Sequence, residues 1–339
     1  MLEIDPKRFD DFVLYYKNMH NVRDIDPSIW MMNYLKKRLE LNDNQILWMC
    51  FLYAITYHLP SSYMLLNEYP DLELVDEKRI RKWWDNVQKD VPFQRDKLKQ
   101  RKYLPESILS YQRLVGDSQK EFFDNILIGN AEENFNLIWE ELYKNIEHFG
   151  RFSVWNWVQA LKEVAGYDIK PNKLLLGTSE SESHTHGICL AFGKDEWAKK
   201  ERYTENGKRK KKVHKFALEE IEWLEEQSKL LENVINESGL EVDPFTIETV
   251  ACAYKKTFRT RDSRYVGYYL DRQAEDIKSI ENNFPGVDWD LLWQCREECL
   301  KSSYLNETVD KNKFKLSYEE KINEPREARE EAIGALDDW

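Results

Sequence analysis

The chain has 339 residues, a net charge of −12 and 42% hydrophobic residues, enough apolar material for one large folded domain or two. Aromatic residues make up 13% of the chain, which excludes a mostly disordered protein, and the negative charge argues against nucleic-acid binding over the whole surface. Only 12 glycines and 10 prolines are present, fewer than turn-rich sheet folds need. Composition therefore favours helices.

No apolar run approaches the roughly 20 residues that span a bilayer, and the longest candidate, at 46–59, is predicted to be a buried core helix. The first residues show neither the basic nor the apolar region of a secretory signal. The five cysteines are scattered among apolar neighbours, which is typical of a reducing compartment. We therefore expect an intracellular protein with no membrane partner.

Apolar residues recur at helical spacing along almost the whole chain and predict an all-α, multi-helix fold with little or no sheet. Start signals for helices include Asp26-Pro27-Ser28 and Asp243-Pro244. In chain order, helices are predicted at 9–16, 30–35, 46–57, 80–87, 105–114, 135–146, 151–164, 179–190, 216–235, 244–259, 263–284 and 287–300. The polar segment 199–212 contains Asn206-Gly207 and is predicted to be an exposed loop.

The predicted division of the chain has three parts, with its softest boundary near Gly129. Residues 1–128 form an N-terminal helical part. Residues 129–303 form a helical catalytic part that carries an exposed basic loop at 199–215. Residues 304–339 are charged, lack an apolar pattern and are expected to form a tail or a peripheral helix.

The first motif, at 150–157, reads Gly-Arg-Phe-Ser-Val-Trp-Asn-Trp. On a helix, Arg151 and Trp155 share one face, and a cation beside a flat ring suits a nucleobase or an anion. The structural alternative is a helix with an interfacial arginine and two core tryptophans.

The second motif, at 179–187, reads Ser-Glu-Ser-Glu-Ser-His-Thr-His-Gly. If it is helical, Glu180 pairs with His184 and Glu182 with His186, and a carboxylate that orients an imidazole can serve as a general base. Two histidines without a matching third ligand are a weak metal signal. The structural alternative is a solvated helix N-terminus.

The third motif, at 248–272, is the richest in polar side chains. One helical face carries Glu248, Cys252, Lys255 and Arg259, with Lys256 beside them. After a break, helical spacing returns with Arg264, Tyr268, Asp271 and Arg272, and with Tyr265 and Tyr269 one position round. Several cations suit a phosphate or pyrophosphate, and the tyrosines suit a base. The structural alternative is a network of salt bridges between helices.

Positive charge is concentrated in two segments. Residues 199–215 contain nine Lys or Arg and two Glu, and a second basic stretch lies at 95–102. Both are predicted to follow DNA phosphates, although a charge run is more often a solvated surface. Glycine-rich nucleotide loops, the Gly-x-Ser-x-Gly elbow and Cys-x-x-Cys pairs are all missing from the sequence, which disfavours kinases, dehydrogenases, serine hydrolases and zinc ribbons.

The order of the three motifs resembles the amino acid:DNA transferase family of bacteriophages, also called alpha-glutamyl/putrescinyl thymine pyrophosphorylases. The matching residues are the Gly-Arg-Phe-Ser of 150–153, the Glu-Ser-Glu-Ser-His of 180–184 with the His-Gly of 186–187, the Ala-Cys-Ala-Tyr-Lys-Lys of 251–256 and the Arg-Tyr-Val-Gly-Tyr-Tyr-Leu-Asp-Arg of 264–272. The resemblance covers about residues 25–300.

The resemblance implies a reaction on phage DNA in which the thymine methyl has become a pyrophosphorylated hydroxymethyl group. An amine from a free amino acid or a polyamine then displaces pyrophosphate at the methylene carbon. The implied partner is double-stranded phage DNA that carries the modified thymine, and the implied location is the cytoplasm of the infected bacterium. The resemblance assigns no definite cofactor, and Mg²⁺ is a candidate companion of the pyrophosphate.

The family has also been linked to helical DNA glycosylases. The segment 284–288, Phe-Pro-Gly-Val-Asp, only weakly matches their hairpin, because Asp288 stands where a glycine is expected. A glycosylase mechanism is therefore not transferred. A glycosylase-like base-excision enzyme and a non-catalytic helical DNA-binding protein remain the alternatives.

The implied reaction assigns roles to the motif residues. An extruded base needs aromatic contacts, and the candidates are Trp155, Tyr265, Tyr268 and Tyr269. Departing pyrophosphate needs cations, and the candidates are Arg151, Lys255, Lys256, Arg264 and Arg272. The attacking amine must lose a proton, and the candidate bases are Glu180, Glu182, His184 and Asp271. The DNA backbone is assigned to Lys208, Arg209, Lys210, Lys211 and Lys212.

Overall fold

A computed structural model describes residues 3–178, 180–205, 208–258 and 266–299. Within these residues the chain forms fifteen α-helices and one two-stranded hairpin, so the all-α prediction is confirmed. The helices are α1 (Pro6–Asn21), α2 (Pro27–Arg38), α3 (Asp43–Thr56), α4 (Leu59–Glu68), α5 (Glu77–Val87), α6 (Leu104–Val115), α7 (Gln119–Ile126), α8 (Ala131–Asn145), α9 (Arg151–Ala160), α10 (Glu182–Ala191), α11 (Asp195–Ala198), α12 (Leu218–Glu237), α13 (Pro244–Thr257), α14 (Tyr268–Lys278) and α15 (Trp289–Cys299). None of the described helices is long and apolar enough to cross a membrane.

Short polar side chains fix where several helices begin. Asn42 and Asn130 close capping boxes at the starts of α3 and α8, so side-chain oxygens accept hydrogen bonds from the first backbone N–H groups. Asp243 does the same for α13, with Pro244 at the first helical position. The start signals predicted at Pro27 and Pro244 are therefore confirmed.

Two of the predicted helices differ clearly from the structure at their ends. The helix predicted at 179–190 begins only at Glu182, because Thr178 and Ser181 bond to each other's backbone N–H groups in a turn before it. The helix predicted at 263–284 is shorter: α14 ends at Lys278, and a 3₁₀ turn follows at Glu281–Asn283. Residues 259–265 and 300–339, which include the predicted tail, lie outside the described residues.

The loop predicted at 199–212 was wrong, because this segment forms an antiparallel hairpin of β1 (Lys200–Glu205) and β2 (Lys208–Val213). The pairing joins Lys200 to Val213 at one end and Glu205 to Lys208 at the other. Only two residues separate the strands, and Asn-Gly is a dipeptide that favours two-residue hairpin turns. The sequence contained this turn signal, but the run of lysines favoured the prediction of an exposed loop.

The described chain divides into two compact units that interleave along the sequence. The first unit contains Met1–Asp26 and Asn172–Tyr269, and the second contains Pro27–Pro171 and Leu270–Ser302. In the first unit, α1, α10, α12 and α13 share one apolar core. Its buried members include Phe12, Ile188 and Tyr254, and the Phe12 and Tyr254 rings pack edge to face at 5.1 Å.

The second unit has a core of aromatic rings around α3. This helix is apolar on all sides, and every residue from Ile46 to Thr56 is buried, which confirms the predicted core helix. The Phe51 ring lies 4.3 Å from that of Tyr111 and 5.0 Å from that of Trp157, measured between ring centroids. The core therefore fixes α9, which carries both Trp157 and the first motif, against α3.

Candidate active site

In the first unit, α10 and α13 approach each other unusually closely at Gly187. A Cβ atom on Gly187 would lie 2.1 Å from the carbonyl oxygen of Ala251, closer than any real contact allows. Only glycine therefore fits at this point, and the second and third motifs are brought side by side. The sequence placed these motifs on separate helices but could not show that the helices cross here.

The main polar contact at the α10–α13 crossing joins His184 to Glu248. The Nδ1 atom of His184 lies 3.4 Å from Oε1 of Glu248, and both side chains are buried. A buried carboxylate beside one ring nitrogen orients the imidazole and stabilises its protonated form. Glu248 had been noted only as one member of a helical face, and its pairing with a histidine 64 positions earlier depends on the fold.

The two acidic candidates of the second motif lie at the N-terminal end of α10. Glu180 is exposed in the turn that precedes the helix, and Glu182 is the first helical residue and is half-buried. The premise that Glu180 and His184 lie one helical turn apart was wrong, because the helix begins two residues after Glu180. His184 instead has a carboxylate from α13 beside it.

The third motif places two lysines in the last turn of α13. Lys255 is buried and Lys256 is half-buried, and cations at this end of a helix are favoured by its dipole. Between them and Glu248 lies Cys252, whose burial raises the pKa of the thiol, although a hydrogen bond with Ser183 opposes the shift. Among the described residues, no group of three or more His, Cys, Asp or Glu is placed to hold a metal ion.

Two buried carboxylates that had not been identified from the sequence hold the backbone of these motifs. Glu225, on α12, accepts hydrogen bonds from the N–H groups of Leu174 and Leu176, each at 2.8 Å. These bonds fix the connector that leads into the second motif. Glu225 interrupts the apolar stripe of α12 between Leu224 and Leu231, and a charge in that position was the signal that could have revealed it.

The second of these carboxylates is Asp24, which is fully buried. Its two oxygens accept from the backbone N–H groups of Gly267 and Tyr269, each at 2.8 Å. These bonds fix the start of α14 and therefore the half-buried rings of Tyr268 and Tyr269, which lie 5.5 Å apart. Two further candidates of the third motif, Arg264 and Tyr265, lie outside the described residues.

The last two candidates of the third motif belong to the second unit. Asp271 is half-buried on α14, one turn after the helix begins. The Nε atom of Arg272 donates to Oδ1 of Asp276 at 2.7 Å, and this carboxylate is also 3.5 Å from Nε2 of His58. Arg272 therefore forms an ion pair within the second unit, and its role toward pyrophosphate stays a prediction.

The first motif forms the start of α9, in the second unit. The guanidinium carbon of Arg151 lies 4.8 Å from the centre of the Trp155 ring, so the pairing predicted from helical spacing is present. Both side chains are buried, and the Trp155 ring also meets the edges of Phe135 and Trp139. A base could stack on Trp155 only if a neighbouring side chain moved away from the ring.

In the basic stretch at 95–102, Arg95, Lys99 and Lys102 are exposed, as a segment that follows DNA phosphates requires, but Lys97 is not. Lys97 is completely buried, and its ammonium group contacts Ser153 of the first motif. The prediction was wrong for Lys97 because a charge run gives no sign of which member turns inward. In the hairpin, the side chains of Lys210 and Lys212 are exposed, whereas those of Lys208, Arg209 and Lys211 lie outside the described residues.

Comparison with known proteins agrees with the arrangement of the motifs. Residues 20–263 match the family model described as amino acid:DNA transferase. A curated relative, a serinyltransferase of Salmonella phage ViI, is 28% identical over 308 residues, which cover 87% of this chain and 73% of the relative. The matched family segment contains the first and second motifs entirely and most of the third. This chain belongs to the amino acid:DNA transferase family, whose members join an amino acid to DNA.

Proposed function

We propose that this enzyme joins the amine of an amino acid to the methylene carbon of 5-(pyrophosphoryloxymethyl)uracil in DNA. A C–N bond forms, the C–O bond to pyrophosphate breaks, and the amine loses one proton. The observation that carries the proposal is the buried pair of His184 and Glu248 on the α10–α13 crossing. Because one relative is a serinyltransferase, serine is the first donor to test, with polyamines as the second class.

His184 is the best-placed base among the four candidates. An amine attacks carbon only in its neutral form, so a nearby group must accept its proton during the reaction. With Nδ1 directed at Glu248, the imidazole presents Nε2 as the atom that accepts the proton. The Glu248 carboxylate then stabilises the imidazolium that results. Glu180 is exposed before α10 and Glu182 is only half-buried, so they are assigned lesser parts than the buried His184, and Asp271 stays an alternative candidate.

The cationic side chains are assigned to the leaving group. Pyrophosphate gains negative charge as the C–O bond breaks, and preorganised cations lower the energy of that transition state. Lys255 and Lys256 lie two helical turns beyond Glu248 on α13, so they are close in sequence to the carboxylate that pairs with His184. Arg264 follows them in the chain, whereas Arg151 and Arg272 belong to the second unit and stay candidates from the sequence alone.

The modified base is assigned to the tyrosines at the start of α14. Chemistry at the thymine methylene with water excluded favours extrusion of the nucleotide, and an extruded base is held by aromatic rings. Tyr268 and Tyr269 are half-buried, so part of each ring is open, and Asp24 fixes their backbone. Tyr265 is a further candidate, and Trp155 would serve only after its ring is uncovered.

The test of this function uses purified protein and DNA that carries 5-(pyrophosphoryloxymethyl)uracil. The DNA is incubated with L-serine, with putrescine or with no amine, then digested to nucleosides and analysed by mass spectrometry, while pyrophosphate is measured in parallel. We expect an amine-dependent nucleoside adduct and one pyrophosphate for each adduct. Release of a free base without an amine would indicate a glycosylase instead, and binding without any product would indicate a DNA-binding protein.

The hairpin is proposed to dock on the DNA backbone, because its strands contribute most of the basic segment in an otherwise acidic chain. Removal of residues 203–212 is expected to weaken DNA binding and to flatten its dependence on salt, since each lost phosphate contact lowers the slope of log K against log salt by about 0.9. Fluorescence anisotropy over a salt series measures this slope. A slope equal to that of the intact protein would contradict the assignment.

A further inference from the structure

Lys97 occupies an environment that is unusual for a lysine. It ends a short 3₁₀ turn, Arg95–Lys97, and its side chain has no exposure to solvent. The Nζ atom donates to Oγ of Ser153 and lies 4.6 Å from the centre of the Phe152 ring. Within the described residues, no carboxylate forms an ion pair with this amine. Buried lysines without a negative partner are costly to maintain and are concentrated at functional sites.

Two hydrogen-bond donors, this amine and a neighbouring amide, share one hydroxyl oxygen. The single oxygen of Ser153 accepts from Lys97 and, at 3.4 Å, from the amide nitrogen of Gln100. Ser153 also lies in the first turn of α9, whose N-cap, Gly150, supplies no side-chain acceptor. The N-terminus of a helix carries partial positive charge, so a cation placed there is disfavoured unless an anion joins it.

We propose that Lys97, Gln100 and Ser153 form a subsite for an oxyanion of the transfer reaction. The oxyanion is either the carboxylate of the amino acid donor or the released pyrophosphate, and this assignment rests on the proposed function. Charge-assisted bonds from an amine, an amide and a hydroxyl at a helix N-terminus are the contacts that such anions require. The sequence placed Lys97 and Gln100 in the basic stretch at 95–102 and Ser153 in the first motif, but it assigned none of the three to the amino acid or to pyrophosphate.

The resting protonation state gives the subsite a measurable property. Burial lowers the pKa of the Lys97 amine well below its usual range, while the neighbouring carboxylate of Asp96 opposes the shift only partly. The other nearby charges are Arg95, exposed on the same turn, and Arg151, the first residue of α9. An arriving anion favours the charged amine, so binding is expected to draw one proton from the buffer.

Access to the subsite requires a local movement. Lys97 and Ser153 are closed off from solvent, but Phe152 and Gln100 are only half-buried. The segment that carries Lys97 contains only the 3₁₀ turns Arg95–Lys97 and Arg101–Tyr103 between α5 and α6. Short turns of this kind have fewer backbone hydrogen bonds to break than a helix, so we assign the opening to this segment.

The test is calorimetric titration of the full-length protein at pH 8, without DNA, with sodium pyrophosphate, glycine or methylamine. Each titration is run in two buffers that differ in ionisation enthalpy, which reports proton uptake. We expect the anion that occupies the subsite to bind with uptake of up to one proton. Lys97→Met should weaken that binding about tenfold or more and abolish the uptake. Loss for pyrophosphate alone identifies the leaving-group site, and loss for glycine but not methylamine identifies the carboxylate site.

Lys144→Met, which removes an exposed lysine from α8, is the matched control and should bind like the wild type. Ser153→Ala provides a second variant in case Lys97→Met fails to fold, and it should also weaken binding. The proposal is overturned if the wild type binds neither anion with proton uptake, or if Lys97→Met and Ser153→Ala bind as the wild type does. Because no DNA or turnover is involved, failure here is distinguishable from failure of the transfer assay.

Discussion

Two regions of this protein bury ionisable side chains against a helix of a sequence motif, and they do so in opposite ways. At the α10–α13 crossing, His184 has a carboxylate partner, Glu248, at 3.4 Å. At the start of α9, Lys97 has a hydroxyl partner and, within the described residues, no carboxylate partner. The first arrangement is complete without a ligand. The second is electrostatically incomplete and becomes favourable only when an anion is present.

This difference suggests a division of tasks between buried groups. A paired imidazole is held in one orientation and is ready to accept a proton, so its role is in bond formation. An unpaired amine lowers stability in the resting enzyme and regains that energy when it binds an anion, so its role is in substrate recognition. Five substitutions, each compared with a control or with a second variant, test how the buried groups of the two regions differ.

The largest effect is expected from His184→Gln, which keeps the size of the side chain but removes the base. The rate of transfer at saturating donor should fall by about 10²- to 10⁴-fold, the usual contribution of a general base. Glu248→Gln should cause a smaller fall, because the imidazole remains. His148→Gln, at an exposed position on the second unit, serves as the control. A transfer rate for His184→Gln equal to that of the control would remove the base assignment.

The next effect concerns the close approach that brings the motifs together. Gly187→Ala places a Cβ atom 2.1 Å from a backbone oxygen, so α10 and α13 must separate. We expect a loss of about 3 kcal/mol in the free energy of unfolding, measured by urea denaturation. Gly286→Ala is the matched control, because no atom lies within 4 Å of its added Cβ, and it should change stability by less than about 0.5 kcal/mol.

Lys97→Met is expected to raise the free energy of unfolding at neutral pH, whereas Gly187→Ala lowers it. Burial lowers the pKa of this amine well below its usual range in the folded protein, so the folded chain holds the proton less tightly than the unfolded chain does. The unfolded chain therefore binds the extra proton, and wild-type stability rises with pH up to the usual pKa of lysine. We expect Lys97→Met to be more stable by about 2 kcal/mol at pH 7, with an advantage that shrinks toward pH 10. A destabilised variant at pH 7 would show that the amine is structural.

The smallest effect is expected from Glu225→Gln, which tests a buried carboxylate whose partners include two backbone N–H groups. One oxygen can still accept from Leu174 or Leu176, but the amide nitrogen cannot replace the other acceptor. The free energy of unfolding should fall by about 1 kcal/mol. Glu226→Gln changes the exposed neighbour and should have no measurable effect. Equal stability of the two variants would contradict the positioning role of Glu225.

Patterns in the amino-acid sequence predicted the positions of the helices well, but they did not predict which side chains on different helices contact each other. The all-α class, the core helix around Cys50 and the pairing of Arg151 with Trp155 follow from local spacing, which the sequence states directly. The pairing of His184 with Glu248 depends on how two helices cross, and periodicity has no information about that. Spacing within one helix suggested Glu180 instead, because it was the nearest carboxylate in the sequence.

The second limit of prediction from the sequence was the burial of single charged side chains. Lys97 lies among Arg95, Lys99 and Arg101, and a run of cations predicts a solvated surface on average. Its inward direction is determined by the 3₁₀ turn and by the position of Ser153, more than 50 residues later in the chain. Asp24 and Glu225 were missed for the same reason, since the backbone groups that they hold are distant in sequence. A charge within an apolar stripe, as in α12, was the one local sign available.

The interleaving of the two units has a consequence for synthesis of the chain. The α1 helix is made first, yet its partners in the core belong to α10 and α13, and the Tyr16 hydroxyl bonds to Thr246, 230 residues later. At about 5–20 residues per second, the first helix waits for on the order of ten to forty seconds before these partners leave the ribosome. The second unit, by contrast, has most of its chain in one continuous stretch. During translation we therefore expect it to gain protection from protease before α1 does.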